Sequence, residues 1–169
     1  MAIFEIKKYG DPILREKAKV ILKVDDGIKK LACNMLETMY SAHGVGLAAP
    51  QIGVSLRLCI IDVDLNKKSP SVMINPVIVS CDENKISGRE GCLSFPGFYE
   101  NVKRHDGIVV QYTNLNGEEL EIEVQSLFSI AIQHEVDHLD AKLFIDYLPE
   151  WKRRFIEKKI KRNRNAGNW

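Results

Sequence analysis

The stretch Ile132-Gln133-His134-Glu135-Val136-Asp137-His138-Leu139 places two histidines four residues apart. On a helix turning roughly 100° per residue they lie about 40° apart on one face, so both imidazoles can reach a single metal ion. Glu135 lies between them, and its carboxylate projects beside the ion, where it can take a proton from a bound water. This is the pattern of a metal-dependent amide hydrolase. The same pentapeptide also arises on ordinary solvated helices, and the flanks separate the two readings. Counting back at helical spacing, Leu127, Ile130 and Ala131 share a face with His134 and His138, so the imidazoles point into an apolar wall. Unpaired imidazoles are poorly placed there. A metal satisfies them, and the same wall can form a pocket for an apolar side chain.

A chain of 169 residues suits one domain, 1–169, long enough to bury about two-thirds of its unfolded surface. Hydrophobic content of 45% with 28% charged residues is that of a soluble globular protein, and no apolar run reaches membrane-spanning length. The start Met1-Ala2-Ile3-Phe4-Glu5-Ile6-Lys7-Lys8 lacks the apolar segment and cleavage site of a secretion signal, so the expected location is cytoplasmic. Cys33, Cys59, Cys81 and Cys92 are scattered without a Cys-x-x-Cys pair. In a reducing compartment Cys33 and Cys59 read as small buried hydrophobes. The formal charge of +1 is uneven: from Glu150 onward eight Lys or Arg face two Glu, a net of +6, which leaves −5 on the rest of the chain. A mildly acidic body thus carries a basic helix or tail over 149–169, suited to an anionic partner.

Residues 1–24 read as an irregular lead with a turn at Tyr9-Gly10-Asp11-Pro12. A helix capped by Asp25 or Asp26 then carries Ile28, Leu31, Met35 and Met39 as a core stripe and stops at Gly44. Small residues crowd the next loop, Gly44-Val45-Gly46-Leu47-Ala48-Ala49-Pro50-Gln51-Ile52-Gly53, where Gly44 and Gly46 permit the close approach of a substrate main chain. A tight helix-to-strand connection explains the glycines but leaves Gln51 without a role, and the loop lacks the Lys and spacing of a phosphate cradle. Strands are expected over Leu56–Asp62, Val72–Ser80, Tyr99–Lys103, Ile108–Asn114 and Glu119–Gln125, the last two joined through Asn116-Gly117 as a hairpin. The short β-branched runs predict an α+β fold, antiparallel β-sheets packed around the central helix that carries the two histidines, with an N-terminal and a C-terminal helix.

Cys92 lies in Gly88-Arg89-Glu90-Gly91-Cys92-Leu93-Ser94-Phe95-Pro96-Gly97, a turn-rich stretch between strands. As a thiolate it suits a third ligand, completing two imidazoles, one sulfur and an open position for water. Two other readings stand beside it: a nucleophile with His134 or His138 as base, and an inert buried thiol.

Taken together, Gly44-Val45-Gly46-Leu47-Ala48-Ala49-Pro50-Gln51, Glu90-Gly91-Cys92-Leu93-Ser94 and Gln133-His134-Glu135-Val136-Asp137-His138-Leu139 resemble the three signature motifs of peptide deformylase, in that family's order. Weaker similarity runs over most of residues 1–150. The resemblance implies removal of the formyl group from the N-terminal formyl-methionine of nascent chains, with one divalent ion per chain, Fe(II) in the cell and zinc, nickel or cobalt as substitutes. It implies that Cys92, His134 and His138 are ligands and that Glu135 is general base and acid. Gln51 and the backbone N–H of Leu93 would face the oxyanion, and Gly46 the substrate backbone. Val45, Leu127, Ile130 and Ala131 would hold the methionine side chain, and Glu90 and Arg104 would form a scaffolding ion pair. Two positions depart from the family pattern: Ala141 replaces a customary Gly, and Tyr99 stands where some members carry an Arg near the downstream peptide.

Two rivals remain open on sequence. A zinc peptidase would take Glu157, 19 residues past His138, as third ligand, although Arg153, Arg154, Lys158 and Lys161 make helix-face ion pairs its alternative. A ribosome- or nucleic-acid-binding module would use the basic tail on a helix started near Pro149, and its alternative is a solvated helix that frays near Asn163–Trp169. In the resembling family such a helix can dock on the ribosome, so the second rival becomes an accessory to catalysis. Neither DNA nor a membrane is an expected partner.

Overall fold

Asp25 opens the first helix, its carboxylate accepting from the Ile28 N–H at 2.9 Å, in a computed structural model that describes residues 2–64 and 69–169. Helix α1 (Asp26–Ser41) buries Ala32, Met35 and Met39 along the expected stripe. It ends before Gly44: His43 takes the left-handed conformation at φ 55°, and the Gly44 N–H returns to the Met39 carbonyl at 2.9 Å.

Strands β1 (Gly46–Ala48), β2 (Leu58–Ile61), β3 (Ser71–Cys81), β4 (Lys85–Gly91), β5 (Tyr99–His105), β6 (Gly107–Thr113) and β7 (Glu119–Gln125) follow. All pair antiparallel, β1-β2-β3-β6-β7 in one sheet and β4-β5 in a second. The Asn116-Gly117 hairpin joins β6 to β7, with Gly117 at φ 84°. Two strands, β1 and β4, lie outside the expected set. β1 is three residues long within a loop of small residues, and β4 reads Lys-Ile-Ser-Gly-Arg-Glu-Gly, with too little apolar alternation to mark a strand.

Helix α2 (Ser126–Leu139) packs against every one of these strands. Its apolar side, Ala131, Ile132, Val136 and Leu139, meets Cys59, Ile61, Met73, Ile108 and Val110 from the large sheet. On the other side of that sheet α1 packs Met35 and Met39 against Leu47, Ile60 and Ile74. A third cluster joins Leu14, Phe95, Phe144 and Ile145 to Ile156 and Ile160 of α3 (Glu150–Asn165). The basic C-terminal helix is therefore anchored by an apolar pair, and Trp169 reaches Phe98 edge-to-face with ring centres 6.0 Å apart. The architecture is α+β, as expected.

The lead does more than irregular backbone suggests. Lys7 N–H donates to the Gln51 carbonyl at 2.7 Å, Tyr9 N–H to the Ser94 carbonyl at 2.9 Å, and Asn75 holds Ile21 through both its N–H and its carbonyl. It thus ties together the loops bearing Gln51 and Cys92.

Helix α2 ends in a Schellman arrangement: the Lys142 N–H bonds the Asp137 carbonyl at 2.8 Å and the Ala141 N–H the His138 carbonyl at 3.3 Å. The position that needs a left-handed backbone is Ala141, at φ 62°. An L side chain there costs about 1–2 kcal/mol, partly offset by glycine's greater unfolded-state entropy of about 0.4–1 kcal/mol. Ala141→Gly is expected to stabilise the protein by about 0.5–1 kcal/mol, raising Tm by about 1–4 °C. A lowered midpoint in thermal or urea unfolding would show that the residue's strain is relieved in some other way.

Candidate metal centre

Six polar residues of α2 are buried, Ser129, Gln133, His134, Glu135, Asp137 and His138, in a helix surrounded by sheet. Burying such groups costs several kcal/mol unless each finds a partner, so their bonding identifies which serve the scaffold. Gln133 is scaffold: its amide bonds the His105 carbonyl at 2.8 Å and accepts from the His105 N–H at 3.1 Å. Asp137 accepts from Arg104 and from the Tyr147 hydroxyl. Among the described residues, Glu135 Oε2 and His138 Nδ1 are buried without a hydrogen-bond partner.

Cys92 follows directly on β4. Its Sγ and one ring nitrogen each of His134 and His138 all lie within 4.8 Å of one another, with Sγ 3.2 Å from His138 Nε2. His134 Nδ1 donates to Glu90 Oε2 at 2.8 Å, which leaves Nε2 for an ion. Glu90 is itself gripped by Arg104, whose Nε donates at 2.7 Å and Nη2 at 3.0 Å. Burial pushes the Glu90 carboxyl up, but the bonds from His134 and Arg104 outweigh it and hold it at about 2. The Arg104 guanidinium, despite burial, is kept charged by Glu90 and Asp137. A chain Tyr147–Asp137–Arg104–Glu90–His134 therefore fixes one imidazole in orientation and tautomer.

The electrostatics favour a cation. Burial lowers the pKa of both histidines, yet Cys92, Glu90 and Glu135 together raise that of His134 well above its ordinary value. His138, with burial and the His134 charge both against it, stays well below. Two imidazoles and a cysteine sulfur converging beside the buried carboxyls of Glu90 and Glu135 fit a divalent metal with one open position.

Beside this triad, Gln51 is buried in the turn after β1. Its Oε1 accepts from the Ala48 N–H at 2.8 Å, which turns the amide NH₂ toward Cys92 Sγ at 3.4 Å and Ser94 Oγ at 3.2 Å. Gly46 of β1 presses on Glu135: a Cβ there would come within 2.2 Å of Glu135 Oε1 and 2.9 Å of Cδ. Burial lifts the Glu135 carboxyl to about 7, Glu90 and Asp137 adding to the rise and His134 and Arg104 opposing it.

Val45, Gly46, Gln51, Cys92, Leu93, Leu127, Ile130, Ala131, His134 and Glu135 line one cavity of about 440 Å³. His138 lies behind it, 1% exposed. Every residue that the resemblance names as ligand, catalytic or substrate-binding lines this cavity or, in the case of His138, touches Cys92 at its wall. Leu127, expected within a buried wall, is 56% exposed, and Val45 is 50% exposed; both stand at the mouth. Glu157 is elsewhere: on α3 it accepts from the Tyr9 hydroxyl at 2.9 Å, and among the described residues the one group able to hold a metal is Cys92, His134 and His138. Sequence reasoning missed Asp137 and Tyr147, and it read Glu90 as an ion-pair partner alone. The signal for Asp137 lay inside the Glu135-Val136-Asp137-His138 run, where a buried acid beside a candidate ligand calls for a cation. Tyr147 gave none.

The family model for polypeptide deformylase matches residues 3–154. A peptide deformylase of Endomicrobium trichonymphae is 64% identical over 169 residues, covering all of both chains. One of Alkalilimnicola ehrlichii is 47% identical over 96% of this chain and 91% of its own length. Among solved structures, a peptide deformylase of Legionella pneumophila superposes with a TM-score of 0.92 at 41% identity, covering 98% of each chain. That of Ehrlichia chaffeensis in complex with actinonin gives 0.92 at 37% identity, over 96% of this chain and 98% of its own. With the family model matched over most of its length and near relatives along all of it, the chain belongs to the peptide deformylase family.

Proposed function

We propose that Cys92, His134 and His138 hold one divalent ion and that Glu135 moves the proton in the family's reaction, hydrolytic removal of formyl from the N-terminal formyl-methionine of newly synthesised proteins. The observation that carries this reading is the convergence of one sulfur and two ring nitrogens within 4.8 Å, beside a buried carboxyl, against an apolar cavity. The reading takes residues 1–169 as one catalytic unit, since α2 joins both sheets.

When bound, the ion supplies a Lewis acid at the formyl oxygen and lowers the pKa of a water toward neutrality. Glu135, with a carboxyl lifted by burial to about 7, takes the proton as water adds to the formyl carbon, and returns it to the amine as the C–N bond breaks and formate leaves. The Gln51 amide NH₂, held by the Ala48 N–H, and the Leu93 N–H donate to the oxygen as charge develops on it. Gly46 admits the substrate backbone, and Val45, Leu127, Ile130 and Ala131 receive the methionine side chain.

Fe(II) is the proposed resident ion, with zinc, nickel or cobalt able to substitute, because a mixed imidazole–thiolate set accepts all of these. The deciding experiment is an anaerobic assay of formyl-Met peptide hydrolysis with metal quantified, run on wild type and Cys92→Ala. The variant is expected to lose both stoichiometric metal and hydrolysis; full retention would return the third ligand to another residue. On exposure to air the iron form is expected to lose activity as its thiolate site oxidises, and the nickel form to keep it. Equal air stability would count against iron.

The cytoplasm is the proposed location; no helix among the described residues is long and apolar enough to cross a membrane. The exposed basic side of α3, with Lys158, Lys159, Lys161 and Arg162, is proposed to touch the ribosome. Salt-sensitive co-sedimentation that weakens on charge reversal there supports it. Deleting α3 would mislead, since Ile156 and Ile160 belong to the core.

A further inference from the structure

The mouth of the cavity carries a feature that the proposed chemistry leaves unused. Tyr99 of β5 pairs opposite Gly91 of β4, and Arg89 stands two residues earlier on β4, so Arg89 and Tyr99 are diagonal neighbours on one face of the two-stranded sheet. The ring lies across Gly91, where an added Cβ would meet Tyr99 Cε1 at 2.5 Å. The Arg89 guanidinium sits over that ring, Cζ 4.9 Å from its centre, and among the described residues it forms no ion pair. Both side chains are exposed, and both line the cavity. Of the acidic and guanidinium groups lining it, Glu90 and Glu135 are buried and Arg89 alone is exposed. The rest of the rim, Ala42, His43, Val45, Gly97 and Leu127, contains no acid that could neutralise it.

A guanidinium resting on the face of Tyr99 is held by the ring while its N–H groups remain available to a carboxylate. We propose that Arg89, positioned by Tyr99, is a specificity-determining residue that favours formyl-methionyl peptides with an acidic side chain in one of the two residues after methionine. The inference rests on the deformylase reading of the cavity, because it needs a peptide leaving the methionine pocket past this rim. Arg89 acts on the bound peptide and touches no reacting atom, so its effect falls on KM rather than kcat.

The test measures kcat/KM for formyl-Met-Glu-Ala, formyl-Met-Ala-Glu, formyl-Met-Lys-Ala, formyl-Met-Ala-Lys and formyl-Met-Ala-Ala with wild type, Arg89→Ala and Arg89→Glu. At low ionic strength one or both acidic peptides should exceed their lysine counterparts by about two- to fivefold, the range of an exposed ion pair. The ratio should fall toward one at high salt or in Arg89→Ala, and invert in Arg89→Glu. Tyr99→Leu should shrink the preference while Arg89 remains. Equal values for acidic and basic peptides in wild type, or a ratio unmoved in both Arg89 variants, would overturn the assignment of Arg89. Failure of metal-loaded wild type to cleave even formyl-Met-Ala-Ala would overturn the parent reading instead.

Discussion

Glu135→Gln is expected to lower kcat for formyl-Met peptide hydrolysis by about 10²–10⁴-fold, the range for removing a general acid–base group, with metal content unchanged at one ion per chain. The substitution is close to isosteric, so the packing against Gly46 survives while the exchangeable proton is lost. The pH profile supplies an independent signature. In the proposed reaction Glu135 works from its deprotonated form, so wild-type activity is expected to rise as pH climbs through its pKa. Burial places that pKa at about 7, and a bound cation draws it lower. That acid limb should vanish in the variant. A variant with wild-type kcat, or one that keeps the same acid limb, would assign the proton transfer to another group.

The second large effect is expected at Gly46, a residue with no functional group. Its Cα faces Glu135 so closely that one added methyl would overlap Oε1, with backbone of β1 on one side and buried α2 on the other. Relief requires either that β1 move away, disturbing its pairing of Gly46 with Ile61, or that the carboxylate swing from its place. Displacing a catalytic group by about 1 Å can cost roughly 10²-fold in rate, and overpacking of this kind costs about 1–3 kcal/mol in stability. Gly46→Ala should therefore lose about two orders of magnitude in kcat and melt several degrees lower, yet still bind its ion, because Cys92, His134 and His138 are untouched. Retention of near-wild-type kcat would mean that Glu135 has room the structure does not give it. Paired with Glu135→Gln, the double variant should have a kcat barely below that of Glu135→Gln alone, since both act on the same carboxylate.

These two residues also show what a sequence can and cannot disclose here. The placement of Glu135 was legible because helical periodicity sets it between two histidines on a face of known direction, and that of Cys92 because a sulfur completes a candidate donor set with them. Strands β2, β3, β5, β6 and β7 were legible through β-branched alternation and the Asn116-Gly117 turn. The Gly46 contact was foreseeable only as small residues making room for a substrate; that the room is taken up by Glu135 is a product of how β1 lies on α2. β4 escaped because its strand character comes from pairing with β5 rather than from its own residues. The Asp137–Arg104–Glu90 chain escaped for a similar reason. Its members are 14 and 33 residues apart, and local pattern carries no signal for bonds of that span. The tail's charge was read correctly while its anchorage was not, because Ile156 and Ile160 are two apolar residues in a basic run.

That anchorage bears on when a molecule becomes competent. Tyr9 bonds Glu157, accepts from Arg164 through its carbonyl, stacks on Phe95 with ring centres 4.8 Å apart and donates to Ser94, so α3 backs the loop that begins at Cys92. During translation α3 emerges after every other element it braces. A copy from which α3 has yet to emerge holds that loop without its support, so assembly of the centre waits on a helix that contributes no group to it.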